Sequence, residues 1–150
     1  MRPAAIYSAA LALHVLACGT GSTASAAGNG RTLYVLHCSG CHGLNGDAAS
    51  IGRIPALSGN IGYFMTLPQS RNLVIQAPGI MNSGLHDEDV AALLNWLVPT
   101  LAGDSLAAPF KPFTADEIGR SRATRPADFF ATRRKVAADL KKLGVELPSY

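Results

Sequence analysis

Five consecutive residues, Cys38-Ser39-Gly40-Cys41-His42, hold the side chains best suited to chemistry. Two cysteines separated by two residues and followed directly by histidine form the attachment pattern of a c-type haem. On a helical turn Cys38 and Cys41 share one face, so both sulfurs can form thioethers with the two vinyl groups of one porphyrin. His42 can then bind the iron as its proximal ligand. The spacing therefore predicts a covalently attached haem.

Other sites use the same pair of cysteines, namely a thiol–disulfide redox centre, a structural disulfide and half of a zinc site. A zinc site needs ligands beyond this pair and His42, and the only other cysteine, Cys18, lies in a segment that we expect to be removed. A thioredoxin-like centre requires βαβ units, whereas no strand-like alternation flanks the motif. The sequence therefore favours haem over a dithiol centre, and a dithiol centre over zinc.

Residues 1–26 have the features of a secretory signal peptide. A positive charge at Arg2 precedes a short apolar run, and Ala24-Ser25-Ala26 forms a small-x-small cleavage site. The apolar run is too short to span a bilayer. We expect a periplasmic protein, since covalent attachment of haem to thiols also belongs in an oxidising compartment.

Cys18 offers a second interpretation of the same segment. Leu16-Ala17-Cys18-Gly19 resembles a bacterial lipoprotein processing site, which would leave a lipid on Cys18. His14 is a poor fit to the apolar surroundings of such sites. Cleavage after Ala26 is therefore favoured, and we expect membrane association only if Cys18 is lipidated.

Charge is unevenly distributed along the chain. Residues 27–110 carry three basic and five acidic side chains, whereas residues 111–150 carry nine basic and five acidic ones. A basic tail fits a protein-docking surface better than a nucleic-acid site, because export argues against nucleic acid and no aromatic residues interleave the charges. We predict a signal peptide over residues 1–26, a haem domain over 27–102 and a basic helical tail over 103–150.

The hydrophobic periodicity predicts two helices in the haem domain above all. The clearer one runs from Asp87 to Thr100, where apolar residues recur at helical spacing after three acidic residues that favour the positive end of the helix dipole. The other is expected from Arg31 to Cys41. Gly30, at its start, would allow a second helix to approach closely, so we expect these two helices to cross.

The tail contains two further predicted helices. Thr114 to Glu117 form a capping box, with Phe113 and Ile118 as a hydrophobic staple. After Pro126, an apolar stripe is expected to pack back on the haem domain while basic residues cover the rest of that helix. The stripe consists of Phe129, Val136, Leu140 and Leu143, and the basic residues are Arg133, Arg134, Lys135, Lys141 and Lys142. Because a basic run on such a helix is usually a solvated face, we expect those charges to face solvent.

The second axial position of the iron has three candidate ligands. Met81 is the best of them, because it lies in a glycine-flanked loop over residues 79–84 that could wrap over the haem face opposite His42. Apolar neighbours suggest a core role for Met65, and a position at a helix start suggests capping or solvent exposure for His86. With none of these ligands, the iron would keep an open coordination site.

His42 also needs a fixed hydrogen-bond acceptor for the ring nitrogen that does not bind iron. The segment Ile54-Pro55-Ala56-Leu57 offers one in the Pro55 carbonyl. A plain rigid turn at Pro55 is the equally supported alternative.

These residues resemble those of small class I c-type cytochromes, above all the single-haem cytochromes found beside periplasmic dehydrogenases. In the family's order, the matching residues are Gly30, Leu33-Tyr34, Cys38 to Gly43, Pro55-Ala56-Leu57, Met81, Leu85, Asp87-Glu88, Leu94 and Trp96. The resemblance implies an all-α cytochrome c fold, one covalent haem c, His42 and a methionine as axial ligands, and the Pro55 carbonyl on His42. The helical extension from Gly103 onward lies outside the resemblance.

We therefore expect a periplasmic electron carrier and not an enzyme. Its partners would be redox proteins, with a periplasmic dehydrogenase as electron donor and another cytochrome or an oxidase as acceptor. Three rival hypotheses stay open. They are a haem enzyme or ligand sensor with an open sixth site, an electron-transfer subunit held in a dehydrogenase complex by the basic tail, and a thiol oxidoreductase.

Overall fold

The computed structural model describes residues 25–47, 54–107 and 109–147, with side chains from Asn29 onward. Over these ranges the chain is helical and contains no strand, as the all-α prediction requires. The helices are α1 (Ser25–His37), α2 (Ser39–His42), α3 (Pro68–Ile75), α4 (Pro78–Met81), α5 (Asp87–Leu101), α6 (Ala115–Arg122) and α7 (Phe129–Lys141). Short 3-10 helices lie at Ile61–Met65 and Gly103–Ser105. The predicted signal peptide up to residue 24, including Cys18, lies outside the described residues.

The crossing of α1 and α5 forms the centre of the fold. At the crossing, Gly30 lies so close to α5 that an added Cβ would clash with the Trp96 side chain and come within 2.6 Å of the Ala92 carbonyl oxygen. The ring of Tyr34 packs beside that of Trp96, with 5.4 Å between centroids. The predicted crossing is therefore confirmed, and a glycine is needed there because the two backbones nearly touch.

Helix α5 supplies the largest share of the central core. All five residues of its predicted apolar face are buried, namely Val90, Leu93, Leu94, Leu97 and Val98. Three acidic residues occupy its first turn, where the free N–H groups favour negative charge. The helix extends to Leu101, one residue beyond the predicted end.

The helix predicted from Arg31 to Cys41 is divided into two. Helix α1 begins earlier, at Ser25, and ends at His37, and α2 starts at Ser39. At Cys38, φ is −124°, outside the helical range, so the first cysteine interrupts the helix. The turn keeps its backbone hydrogen bonds, since the Cys38 N–H donates to the Tyr34 carbonyl at 2.8 Å.

The tail packs against the rest of the protein through both of its helices. At the start of α6, Thr114 Oγ1 accepts a hydrogen bond from the Glu117 N–H at 3.2 Å, and Phe113 and Ile118 are buried, as the capping box and staple predict. In α7, Val136 and Leu140 are buried against Leu73 of α3. The expectation that the tail packs back on the haem domain is confirmed.

Two residues of the predicted second tail helix, Leu143 and Arg133, correct the sequence prediction. Leu143, which was expected in the apolar stripe, is 55% exposed, because α7 ends at Lys141 and Leu143 lies beyond the helix. Arg133, which was expected to face solvent, is only 8% exposed. It lies three residues before Val136 and seven before Leu140, so the helical repeat places it on their buried face.

No helix in the described part of the chain combines the length and the apolar character needed to cross a membrane.

Candidate functional site

The cysteine–histidine motif forms one tight turn at the end of α1. Its first cysteine, Cys38, precedes α2, and its carbonyl accepts hydrogen bonds from the N–H groups of Cys41 at 3.2 Å and His42 at 3.0 Å. Cys38 is half-buried and Cys41 is exposed. Both cysteines and His42 line the same cavity, so the turn presents two thiols and an imidazole to one space, as the spacing predicts.

That cavity has a volume of about 370 Å³, within the range of small-molecule and cofactor sites. Its walls come from the motif, the 54–57 segment, α3, α4, α5 and α7. Most of the lining is apolar, including Ile61, Leu93 and Leu94. A mostly apolar ligand is the kind of molecule that such walls would shield from water.

His42 is held by the acceptor that the sequence suggested. Its Nδ1 lies 3.2 Å from the Pro55 carbonyl oxygen. Because a carbonyl can only accept, the proton belongs on Nδ1, and Nε2 keeps the lone pair that a metal needs. The predicted role of the Pro55 carbonyl as acceptor is confirmed, and the plain-turn alternative is not needed.

The protonation state of His42 suits metal binding. Burial lowers the pKa of the imidazole, and the hydrogen bond to the Pro55 carbonyl partly offsets this by raising it. The net direction is downward from an ordinary value of 6.5, so the ring is neutral at neutral pH. A neutral imidazole is the form that binds a metal, because a protonated ring has no free lone pair.

Cys38 has the opposite properties from a redox thiol. Burial, followed by the neighbouring Cys41 charge, raises the pKa of the Cys38 thiol to about 11. Reactive dithiol centres depend on a lowered thiol pKa, which provides the thiolate that attacks disulfides. The thiol oxidoreductase hypothesis is therefore disfavoured.

Zinc is disfavoured on a separate observation. Among the residues that the structure describes, no group of three or more histidine, cysteine, aspartate or glutamate side chains could hold a metal ion. A structural zinc site requires four such ligands. The motif thus lacks the partners that a zinc interpretation needs in these ranges.

Tyr34 of α1 forms a hydrogen bond to the end of the motif. Its side chain is fully buried, and its hydroxyl donates a hydrogen bond of 2.6 Å to the carbonyl of Gly43, directly after His42. Burial is the main cause that raises the pKa of the Tyr34 hydroxyl. The sequence indicated a packing residue, and the structure adds that Tyr34 also ties α1 to the end of the motif.

The structure separates the three candidates for the second axial ligand. Met81 ends α4, a helical turn where a loop was expected, and the three residues before it line the cavity. The Met65 sulfur accepts from Arg71 Nη1 at 3.6 Å, and His86 is exposed at the start of α5. Of these described residues, none lines the cavity itself, and both methionines directly follow a lining residue, Met81 after Ile80 and Met65 after Phe64.

The tail contributes a cavity wall that the sequence interpretation missed. Phe129, Phe130 and Arg133 of α7 all line the cavity, alongside residues of the predicted haem domain. The rings of Phe129 and Phe130 meet edge-to-face at 5.6 Å between centroids. The sequence signal that could have indicated this wall is the spacing of Arg133, Val136 and Leu140, which places all three on the same face of a helix.

The cavity and the motif fit a haem of the c type. Two thiols on one turn match the two vinyl groups, an oriented neutral imidazole matches the iron, and apolar walls match the porphyrin. When bound, such a group supplies an iron that can exist in ferric and ferrous states.

Comparison with known proteins agrees with this chemistry. The family model described as cytochrome c matches residues 27–100. A protein named cytochrome c-552 from Thermus thermophilus is 30% identical over 144 residues, which cover 84% of this chain and 93% of that protein. A second cytochrome c-552 from Thermus thermophilus is 29% identical over 136 residues, which cover 79% of this chain and 98% of that protein. No solved structure matches the chain.

Proposed function

Since this chain belongs to the cytochrome c family and carries covalent haem c, we propose that it is a periplasmic electron carrier that attaches the haem through Cys38 and Cys41. In this proposal His42 binds the iron and Met81 completes its coordination. The observation that carries the assignment is the hydrogen bond of 3.2 Å between His42 Nδ1 and the Pro55 carbonyl, beside two thiols on the same cavity.

To bind the iron, His42 needs a fixed ring orientation and the tautomer with its proton on Nδ1. The Pro55 carbonyl holds the ring by Nδ1, so Nε2 stays available to the iron in both oxidation states. The hydrogen bond also makes the imidazole a stronger donor to the metal. Tyr34 limits movement of the motif by bonding to Gly43, so the ligand does not have to reorganise when the electron moves.

The apolar walls contribute to the reduction potential. Leu93, Leu94 and Ile80 line the cavity, so a bound haem would contact apolar side chains and little solvent would reorganise around it. A site of low polarity also disfavours the ferric state, because ferric haem carries one more positive charge than ferrous haem. The reduction potential is therefore raised. Both effects suit an electron carrier.

Electrons would pass at the exposed edge of the motif. Cys41 is exposed there, and the apolar side chains of Leu36 and Leu44 are 71% and 70% exposed on either side of it in sequence. A small apolar contact of this kind suits brief docking, as weak redox encounters require. We propose a periplasmic dehydrogenase as donor and another cytochrome or an oxidase as acceptor, with the exposed basic side chains of Arg134 and Lys135 steering acidic partners.

A haem protein with an open sixth site is the second candidate function. It is favoured by one observation, which is that none of Met81, Met65 and His86 is among the described residues that line the cavity. Such a protein would bind small ligands on the free side of the iron.

A single preparation tests both candidates. The full chain is expressed in a host with haem-attachment machinery, and its mass, optical spectrum and redox titration are measured. We expect the added mass of one haem, a low-spin ferric spectrum and reversible one-electron reduction. A high-spin spectrum with rapid carbon monoxide binding would select the second candidate, and a colourless protein without added mass would contradict both. A lipid on Cys18 would appear in the same mass.

A further inference from the structure

The segment that carries Met81 is bonded to a short stretch of the tail. We call residues 76–85 the methionine turn, since they run from the end of α3 through α4 to the approach of α5. We call residues 121–125 the tail segment, which consists of the end of α6 and the three residues after it. The two segments are more than thirty residues apart in the sequence, so their contact is a product of the fold.

The first contact lies at the start of the methionine turn. The side chain of Gln76 is buried, and its Nε2 donates to the Thr124 carbonyl at 2.7 Å and to the Ser121 carbonyl at 3.1 Å. Hydrogen bonds away from water are electrostatically stronger than those exposed to it. The start of the methionine turn is therefore fixed to the end of α6.

The second contact lies at the end of the methionine turn. Arg122 Nη1 donates to the Leu85 carbonyl at 2.9 Å and to the Asp87 carboxylate, in the first turn of α5, at 2.7 Å. A charged donor forms a stronger bond than a neutral one. One arginine thus fixes the end of the methionine turn to both α5 and α6.

The third contact lies beside Met81 itself. Arg125 Nη2 donates at 2.6 Å to the side-chain oxygen of Asn82, the residue directly after Met81. Within the methionine turn, the Ala77 carbonyl accepts from the Met81 N–H at 2.9 Å. That internal bond shapes the turn, whereas the three contacts with the tail segment decide where the turn lies.

A segment that is bonded before and after its ligand residue has few conformations open to it. Its sulfur therefore stays close to the place where it binds, at a high effective concentration. If the bonds to the tail were lost, the turn would move more freely and the sulfur would leave that place more often.

We propose that the tail segment positions the methionine turn and so keeps the Met81 sulfur on the iron, with Gln76, Arg122 and Arg125 as positioning residues. This inference rests on the proposed function, in which Met81 completes the coordination. It gives the extension after residue 102 a role in keeping the sixth site closed to other ligands.

Competition with imidazole measures how firmly the sulfur is held. Imidazole binds the ferric iron only where the sulfur has left it, so its apparent affinity rises with the fraction of protein in the open form. The ferric holoproteins of the wild type, Met81→Ala, Gln76→Ala and Asn95→Ala are titrated and followed by optical spectroscopy. Asn95→Ala is the matched control, because the Asn95 amide also bonds to the tail, at the Phe113 carbonyl at 3.0 Å, but outside the methionine turn.

We expect Gln76→Ala to bind imidazole roughly fivefold more tightly than the wild type, which is the equilibrium effect of about one hydrogen bond. Asn95→Ala should stay close to the wild type, and Met81→Ala sets the upper limit. If Met81→Ala binds imidazole no more tightly than the wild type, Met81 is not the ligand, and this part of the proposed function fails together with the inference. If Met81→Ala binds it more tightly but Gln76→Ala equals Asn95→Ala, the proposed function stands and the positioning role is overturned.

A second pair of variants keeps the test decisive if Gln76→Ala does not fold. Arg122→Gln combined with Arg125→Gln removes the two arginine contacts and leaves Gln76 intact. Arg120→Gln combined with Arg134→Gln removes the same charge at two exposed positions of the tail. We expect only the first combination to bind imidazole more tightly than the wild type, and equal affinities of the two combinations overturn the proposal.

Discussion

In the proposed function, Met81 is the residue that completes the coordination of the iron. It ends α4, and Pro78, Gly79 and Ile80, which precede it in that turn, form part of the cavity wall. Pro78 starts the turn because its fixed φ suits the first helical position. The motif and this turn therefore lie on the same cavity. Met81 is favoured over Met65 because the sulfur of Met65 already accepts from Arg71.

Replacing Met81 tests its role as a ligand. Met81→Ala is expected to convert a low-spin ferric haem to a high-spin one and to allow rapid carbon monoxide binding, because the second axial bond is lost. Optical spectroscopy of the holoprotein measures both effects. Met65→Ala is the control and should leave the spectrum low-spin. If Met81→Ala keeps the wild-type spectrum, Met81 is not the ligand.

At the scale of the helices, the packing of α1 on α5 depends on one close contact between their backbones. Helices α1 and α5 cross at Gly30, where the Ala92 carbonyl oxygen lies within 2.6 Å of the place that a Cβ would take. A backbone atom cannot rotate away as a side chain can, so the crossing tolerates only glycine without movement of a helix.

Gly30→Ala is therefore expected to reduce the free energy of unfolding by about 1–3 kcal/mol, since the overpacking outweighs the better helix propensity of alanine. Urea denaturation of the holoprotein measures this change. Gly40→Ala is the matched control, because a Cβ at Gly40 would meet no atom within 4 Å. Equal stability of the two variants would show that the helices can separate at no cost.

An ion pair joins α3 to α6. Arg71 donates to Glu117 through Nε at 2.6 Å and Nη2 at 3.0 Å, and its guanidinium carbon lies 3.5 Å from the centroid of the Phe113 ring. The hydrogen bonds from Arg71 hold the pKa of Glu117 below its ordinary value of 4.5, although burial opposes them. The carboxylate is therefore favoured in the folded state.

This shift predicts a pH dependence of stability. The folded-state pKa lies below the unfolded one, so the contribution of Glu117 is complete above about pH 4.5 and is lost as the pH falls through the folded-state value. At pH 7, Glu117→Gln should lower the free energy of unfolding by about 1 kcal/mol, and this difference should shrink as the pH is lowered.

Thermal unfolding of the wild type and Glu117→Gln between pH 7 and pH 3 measures how the difference in stability changes with pH. Glu146→Gln is the control, because its partner Lys141 and Glu146 are 70% and 80% exposed and such pairs contribute little. A difference between wild type and Glu117→Gln that stays constant over this pH range would contradict the linkage.

For the protein as a whole, α7 joins the tail to the haem cavity. Leu140 is fully buried in a small cluster with Leu73 and Val136, whereas Leu143 is 55% exposed. The same helix carries Phe129, Phe130 and Arg133 to the cavity. Unfolding of the tail would therefore open the cavity, and we expect the two parts to unfold together.

Leu140→Ala tests this coupling. It should lower the free energy of unfolding by about 2–5 kcal/mol, the usual cost of a cavity in a buried cluster, and Leu143→Ala should change it by less than about 0.5 kcal/mol. Denaturation is followed by haem absorbance and by far-ultraviolet circular dichroism. In the wild type the two transitions should coincide, as expected of one cooperative unit. A haem transition that is the same in Leu140→Ala and the wild type would show that the tail is independent.

Local patterns were sufficient to predict much of this protein. The spacing of Cys38, Cys41 and His42 indicated haem, because attachment needs a single turn of chain and no distant partner. The apolar repeat of α5 and the glycine at position 30 predicted two crossing helices, since both signals come from short stretches. The Pro55 carbonyl was one of two interpretations, and the contact with His42 decided between them.

Only the tertiary structure showed which distant segments meet. Arg133 belongs to a run of basic residues, which predicted a solvent-exposed face. Its burial follows from the packing of Val136 and Leu140 on Leu73, more than sixty residues away in the sequence. The same contacts bring Phe129 and Phe130 to the cavity that also contains Cys38. Helical periodicity defines the faces of a helix, but the partner of each face depends on long-range packing, which no local pattern encodes.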